Sequence, residues 1–261
     1  LSNLESVTTY YVRVRELCSA DNESTWAMTS FTTECYETSG NFTCGFEISE
    51  GHVHQGSSTS STYDMAQCWT TGTTANTTSW YMYVPRVQAS SSTFYSRNTV
   101  ESKLQSTSSL RMYAYASSSA TSSTSYYDQW AVMPRFDMEA MDTDTIQLEF
   151  YALAGAYNPT KGTISSSYTG DTYLPSIVVG VMSDPNDIST FVALDTCTYD
   201  LAKLTTSTVA IPENEFMFQH FVVPLKGIKG KGDYLAFKTY LIDWIESQPT
   251  RPASTMYTQI Y

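Results

Sequence analysis

An all-β fold, built as an antiparallel β-sandwich, is what this sequence predicts, and three observations predict it. Apolar and polar residues alternate with a period of two over short runs. Ile146, Leu148 and Phe150 alternate with Gln147, Glu149 and Tyr151, which gives one buried face and one wetted face. The run Ile177-Val178-Val179-Gly180-Val181-Met182 is unbroken apolar and too short for an ordinary helix, so it reads as a strand. The composition agrees: 20 Tyr and 11 Phe suit strands, and only 15% of the residues are charged.

In chain order, Tyr10, Val12 and Val14 alternate with Tyr11, Arg13 and Arg15, a half-buried strand. Residues 20–24 are a turn, and Trp26 to Thr33 is a second strand. The small and polar stretch after Cys35, residues 36–41, reads as a linker, and a second unit opens at Phe42. The apolar run Ile177 to Met182 then meets Ser183-Asp184-Pro185-Asn186-Asp187, a dense turn signal, and Phe191-Val192-Ala193-Leu194 returns as a strand. This is a buried hairpin with an acidic tip, where Asp184 and Asp187 read as turn caps. Strands follow at residues 218–225 and 232–238, with Leu235, Phe237 and Leu241 on one parity and Lys238 on the other. Residues 200–205 are the one helix candidate. Residues 89–93 and 117–125 are low-complexity loops. The glycine-spaced stretch 227–232 lacks the Ser or Thr that follows Gly-Lys in a phosphate-binding loop.

Charge narrows the function. At −12 and a pI near 4.5 the chain has no basic footprint for nucleic acid, nor for an anionic membrane surface. No run of apolar residues is long enough for a transmembrane helix, so membrane insertion is not expected. Leu1 opens directly into mature-looking sequence without a signal peptide, which for a secreted chain implies processing. The five cysteines form no CxxC pair. Two disulfides drawn from Cys18, Cys35, Cys44 and Cys68 are expected in an oxidising compartment, with the pairing open. The histidines are His52, His54 and His220; His52 and His54 would share a face if extended and could form a metal pair, but a third ligand has no obvious place. No GxSxG elbow marks a nucleophile, and Glu47, Glu139 and Glu149 carry no motif that would pair them as glycosidase carboxylates. The reading is therefore not an enzyme. Aromatic residues could form a glycan platform, at Tyr81 and Tyr83 beside Trp80 and at Tyr126 and Tyr127 near Trp130, with packing in the core as the plainer role.

Residues 1–35 resemble the end of a fibronectin type III domain, an immunoglobulin-like fold, on Leu1, Leu4, Thr9, Tyr11, Val12, Val14 and the SFTT strand. That resemblance implies a corner tyrosine at Tyr11, a bridge between Cys18 and Cys35, and a longer parent protein. From Phe42 the chain resembles the cleaved-adhesin and MAM-like (choice-of-anchor J) jelly rolls of Bacteroidales surface proteins. Phe46-Glu47 followed by Cys68-Trp69, the strand at Trp130 to Phe136, Ile146 to Ala152 and the hairpin VGVMSDPNDISTF carry it. This resemblance implies residues 42–261 as one jelly-roll domain, and a structural Ca²⁺ with Glu47 among its ligands. It implies an extracellular or cell-surface location and a non-catalytic adhesion module that binds host protein or glycan, or neighbouring domains of its parent. The rivals are a structural repeat of a surface layer, fibre or stalk, and an accessory domain of a secreted protease or glycoside hydrolase. Asp144-Thr145-Ile146 fits the O-glycosylation pattern of Bacteroidota secreted proteins, at Thr145, and Asn22, Asn41 and Asn76 fit N-x-[ST].

Overall fold

The computed structural model describes residues 4–19, 22–35, 37–52, 65–74, 109–116, 126–156, 163–164, 176–198, 205–206, 219–239 and 254–260. The chain divides into two compact units, Leu1–Glu37 and Thr38–Tyr261. Thr38 pairs in parallel with Phe136, so part of the stretch read as a linker is built into the second unit.

In the first unit, β1 (Thr9–Val14) pairs antiparallel with β4 (Ala27–Thr32), and β2 (Leu17–Ser19) with β3 (Asn22–Glu23). The alternation places Tyr10, Val12 and Val14 on one face, where Tyr10 stacks on Phe31 at 5.8 Å. Tyr11 is 72% exposed, which removes it from the corner role that the resemblance implied. The neighbouring Tyr10 phenol oxygen instead accepts the Glu5 N–H at 2.7 Å. Arg15 pairs with Glu23 and lies over the Trp26 ring at 4.7 Å. Cys18 is a free thiol, so the implied Cys18–Cys35 bridge is not formed.

Among the described residues, the second unit is an antiparallel β-sandwich of two five-stranded sheets. The first takes β5 (Thr70–Thr73), β8 (Gln129–Val132), β11 (Ser176–Met182), β12 (Val192–Thr198) and β15 (Tyr234–Thr239), in the order β12-β11-β15-β8-β5. The second takes β6 (Leu110–Ala116), β7 (Tyr126–Tyr127), β9 (Gln147–Ala156), β14 (Gln219–Pro224) and β16 (Ser254–Ile260), in the order β14-β9-β16-β6-β7. A short parallel pair, β10 (Thr163–Ile164) with β13 (Thr205–Thr206), forms a two-stranded sheet of its own beside β9. Residues 200–204 of the helix candidate lie outside the described residues, and Thr205 opens a strand. No helix among the described residues is long and apolar enough to cross a membrane.

The core lies between the sheets. Ile177, Val179 and Val181 from β11 and Leu235 and Phe237 from β15 meet Leu110 and Met112 from β6, Phe150 from β9, Val223 from β14 and Ile260 from β16. The Phe237 ring stands edge-on to Phe150 at 5.0 Å and ties one sheet to the other.

A second apolar layer explains why the Ile177–Met182 run does not alternate. Met182 packs with Trp130, Val132 and Ala236 on the opposite face, covered by Ile188, Phe191 and Tyr234. With both faces covered, every position of that run is buried. Two glycines make room for the cover. A Cβ on Gly72 would fall inside the Trp130 indole, and one on Gly180 would meet the Phe191 ring. Trp130 is thus core, not part of an exposed aromatic cluster.

The hairpin tip is held by its own polar groups. Asp184 Oδ1 accepts the Asn186 N–H, and Asp187 Oδ1 caps the 3₁₀ turn Ile188–Thr190 by accepting the Ser189 N–H, both at 2.9 Å. Hydrogen bonds from Ser189 hold the Asp187 carboxyl below its usual range. Asp128 is wholly buried beside this sheet. Its Oδ1 accepts the Thr239 hydroxyl at 2.9 Å, and Lys238 Nζ lies 3.8 Å from Oδ2.

Candidate functional site

Among the described residues, two places on the second unit gather chemistry-bearing residues. The first is the loop from Cys44 to His52. Phe46 is buried with φ +56, a left-handed conformation that a bulky side chain adopts only when its surroundings hold it there. Glu50 supplies the hold. Its carboxylate accepts the Gly45 N–H at 3.0 and 2.9 Å and the Glu47 N–H at 2.8 Å. The His52 ring is buried against Phe46 at 5.3 Å and Trp69 at 5.8 Å.

The side chains of Cys44, Glu50 and His52 converge here, with their ligating atoms all within 4.8 Å of one another. Such a trio suits zinc more than calcium by donor type, but the histidine tautomer opposes both. The Ala66 N–H points at His52 Nδ1 at 3.1 Å, and an N–H can only donate. Nδ1 is therefore the bare nitrogen, and the ring proton sits on Nε2, 3.3 Å from Cys44 Sγ. A metal on Nε2 would have to displace that proton and break the Ala66 bond. The pair is better described as an Nε2–H to sulfur hydrogen bond that pins the loop. Burial, reinforced by the Glu50 charge against an opposing hydrogen bond at Phe46, pushes the Cys44 thiol up to about 12.

Calcium takes roughly six to eight oxygen ligands. The Glu50 oxygens are already engaged by amides, and Cys44 and His52 offer sulfur and nitrogen. The hydrogen bonds of Glu47 described above run through its main chain, and its carbonyl accepts the Glu50 N–H at 3.0 Å. His54, the expected partner of His52, lies outside the described residues.

Cysteine assignments follow. Cys35 and Cys68 are disulfide-bonded, while Cys18, Cys44 and Cys197 carry free thiols, so Cys44 leaves the expected bridge set. The Cys197 thiol is pushed up to about 12 by burial and by Asp195. We expect a disulfide-exchange reagent at pH 8 to titrate one thiol quickly in the native protein, the exposed Cys18, and three after unfolding in denaturant. Three fast thiols in the native protein would contradict this burial.

The second place is the outer face of the β14-β9 pair. Alternation turns Leu148, Phe150 and Ala152 toward the core and leaves Gln147, Glu149 and Tyr151 on the other face. Opposite them stand Pro224, Val222 and His220. His220 stacks on Tyr151 at 4.7 Å and places Nε2 3.3 Å from Glu149 Oε2, while the Gln147 amide donates to Glu149 Oε1. Val222 is 41% exposed between them. Reading the sequence placed Glu149 and His220 separately and missed Tyr151. The available signal was parity alone, since cross-strand register is not local.

In sequence Tyr126 and Tyr127 form one aromatic cluster with Trp130. The register separates them: Tyr127 pairs with Tyr115 and Tyr126 with Ala116, so they lie on opposite faces. Tyr81 and Tyr83 lie outside the described residues. Glu139 is exposed, and its carbonyl receives Lys229 Nζ at 3.0 Å. Thr145 is exposed in a turn, with its hydroxyl donating to Asp142.

No protein-family model matches the chain, and none of the curated proteins does. Among solved structures it is similar to the K2 cleaved adhesin domain of Lys-gingipain, at 14% identity and a TM-score of 0.40 over 84% of this chain and 98% of that one. It is also similar to the K3 cleaved adhesin domain of Lys-gingipain from Porphyromonas gingivalis, at 16% identity and a TM-score of 0.33 over 60% of this chain and 75% of that one. Likeness of this degree carries no argument about function. The sandwich rests on its own strand pairing and core.

Proposed function

We propose that the chain is a non-catalytic recognition module of the adhesion type, which binds host protein or glycan as part of a larger secreted or surface protein. The observation that supports this reading is the outer face of β9 and β14. It combines a stacked Tyr151–His220 pair, exposed Val222 and the polar Gln147 and Glu149 on a backbone held by the core beneath. Aromatic and apolar groups mixed with hydrogen-bonding ones are the composition of binding surfaces. Rigid strands hold such a surface at low entropic cost. The buried His52 and the half-buried Cys44 give no competing reading as an acid–base or nucleophilic pair, because a neutral thiol and a ring nitrogen committed to Ala66 can do neither job.

The test is immobilised chain exposed to a printed glycan array and to a panel of extracellular matrix proteins. Recognition expects saturable retention of at least one; retention of none would overturn it. Calcium at Glu47 is a separate proposal, resting on the family resemblance. It expects the melting temperature to rise when EDTA is replaced by millimolar Ca²⁺, and the rise to vanish in Glu47→Gln. An unchanged melting temperature removes it.

A further inference from the structure

We propose that β4 is an interface between two copies of this chain, which pair antiparallel, edge to edge, across a twofold axis at Ser30. The proposal goes beyond the recognition reading and uses other residues.

Exposure is the first observation. All six residues of β4 are exposed. Around it Tyr11, Val14, Leu17, Trp26 and Met28 are each more than half exposed, and Phe31 more than a third. Single exposed apolar residues are ordinary, but a group of them on one small sheet marks a contact surface. The sheet itself has two strands, β1 and β4. A two-stranded ribbon is marginal in water and is stabilised by further strands.

The main chain shows where a further strand fits. The Thr33 N–H donates to the Thr8 carbonyl at 3.1 Å, in register with the β1–β4 pairs. Successive strand residues turn their main-chain groups to opposite sides. Ala27, Thr29 and Phe31 therefore bond toward β1, and Met28, Ser30 and Thr32 turn their N–H and C=O outward.

Sheet edges are ordinarily guarded by charge, proline or a bulge. Other strands of this chain carry such guards. Asp195 and a register shift interrupt β12, Pro224 and His220 stand on β14, and Arg13 stands on β1. By contrast β4, Ala27-Met28-Thr29-Ser30-Phe31-Thr32, has no charge and no proline, and its register with β1 is unbroken.

Charge selects the occupant. A foreign partner is picked out by charges complementary to its own, and β4 presents none. A second copy needs none. Ser30 is the middle of the three outward residues, so a twofold axis there sets Met28 opposite Thr32 of the second copy and Thr29 opposite Phe31. No like charges face each other in that pairing. A contact that uses the same strand in both copies closes at two chains. The net charge of −12 on each copy opposes the approach, and salt screens that repulsion.

The experiment measures the mass of the whole chain by sedimentation equilibrium from about 1 to 100 µM. The variants are Ser30→Lys, Ser30→Glu and, as a control, Val192→Lys at an exposed position of the second unit. The expected mass rises reversibly from one chain to two, more readily at about 500 mM salt than at about 50 mM. Ser30→Lys or Ser30→Glu alone sets like charges face to face and should weaken pairing about tenfold or more. Mixing the two should restore it, and Val192→Lys should leave it unchanged. A one-chain mass throughout overturns the proposal, as does a dimer that both Ser30 variants leave intact. A mixture that stays monomeric overturns the axis at Ser30, and growth past two chains overturns the twofold contact. If the variants unfold the first unit, hydrogen exchange of the unaltered chain decides. The Met28, Ser30 and Thr32 amides should gain protection as concentration rises, and exchange independent of concentration overturns the pairing. Protection gained only on adding a matrix protein gives the edge to that protein and overturns the second copy.

Discussion

Gly232→Ala lowers the stability of the second unit by about 3 kcal/mol or more. Two costs add at this position. Its φ of +146 lies in a region that is essentially glycine-only, and holding another residue there costs about 1–3 kcal/mol. A Cβ built on Gly232 would also overlap the Met182 carbonyl and come within 2.7 Å of the Ser183 nitrogen. Those are main-chain atoms at the end of β11, where Met182 pairs with Tyr234, so no side chain can swing away to relieve the clash. Overpacking of this kind costs about 1–3 kcal/mol more. Gly230 is the control. It also has positive φ, +77, but a Cβ there meets nothing within 4 Å. Gly230→Ala should therefore carry only the left-handed cost, about 1–2 kcal/mol. Urea unfolding of the two variants measures the gap. Equal destabilisation would contradict the close approach of Gly232 to β11.

Phe237→Ala is the second large effect. Phe237 is fully buried in β15, paired to Val179 on one side and Ala131 on the other. Its edge-on contact with Phe150 crosses the sandwich. Removing the ring loses transfer free energy and leaves a cavity that two paired sheets cannot close, about 3–5 kcal/mol. Domain stabilities run at about 5–15 kcal/mol, so the variant should be partly unfolded at 37 °C. Phe237→Leu keeps most of the volume and should cost less than half as much. A loss under about 1 kcal/mol for the alanine variant, measured by denaturant midpoint, would mean that the sheets are not joined through this ring.

The hairpin was legible because its signals are local. An unbroken apolar run says that both strand faces are covered, and Asp184 and Asp187 bond to amides within their own turn. What covers the second face was not legible. Trp130 reads in sequence as a tryptophan near two tyrosines, and only Gly72, distant in the chain, lets the indole lie flat and buried. His52 has the same character. Its tautomer depends on the Ala66 amide, and its burial on Phe46 and Trp69, none of which its spacing to His54 reveals. Tyr126 and Tyr127 are a different case, because adjacent strand residues lie on opposite faces and parity alone could have separated them. Tyr151 reads in sequence as the polar phase of its strand. Its stacking partner, His220, comes from β14, whose register is set by the sheet as a whole.

Binding without turnover is the most direct measurement. The chain is incubated with the glycan array and matrix proteins, retention is read at the surface, and the recovered ligands are sized by mass spectrometry. Recognition by a non-catalytic module predicts saturable retention of at least one ligand, recovered at its original mass. No retention on any surface, or recovery of shortened ligands, would contradict it.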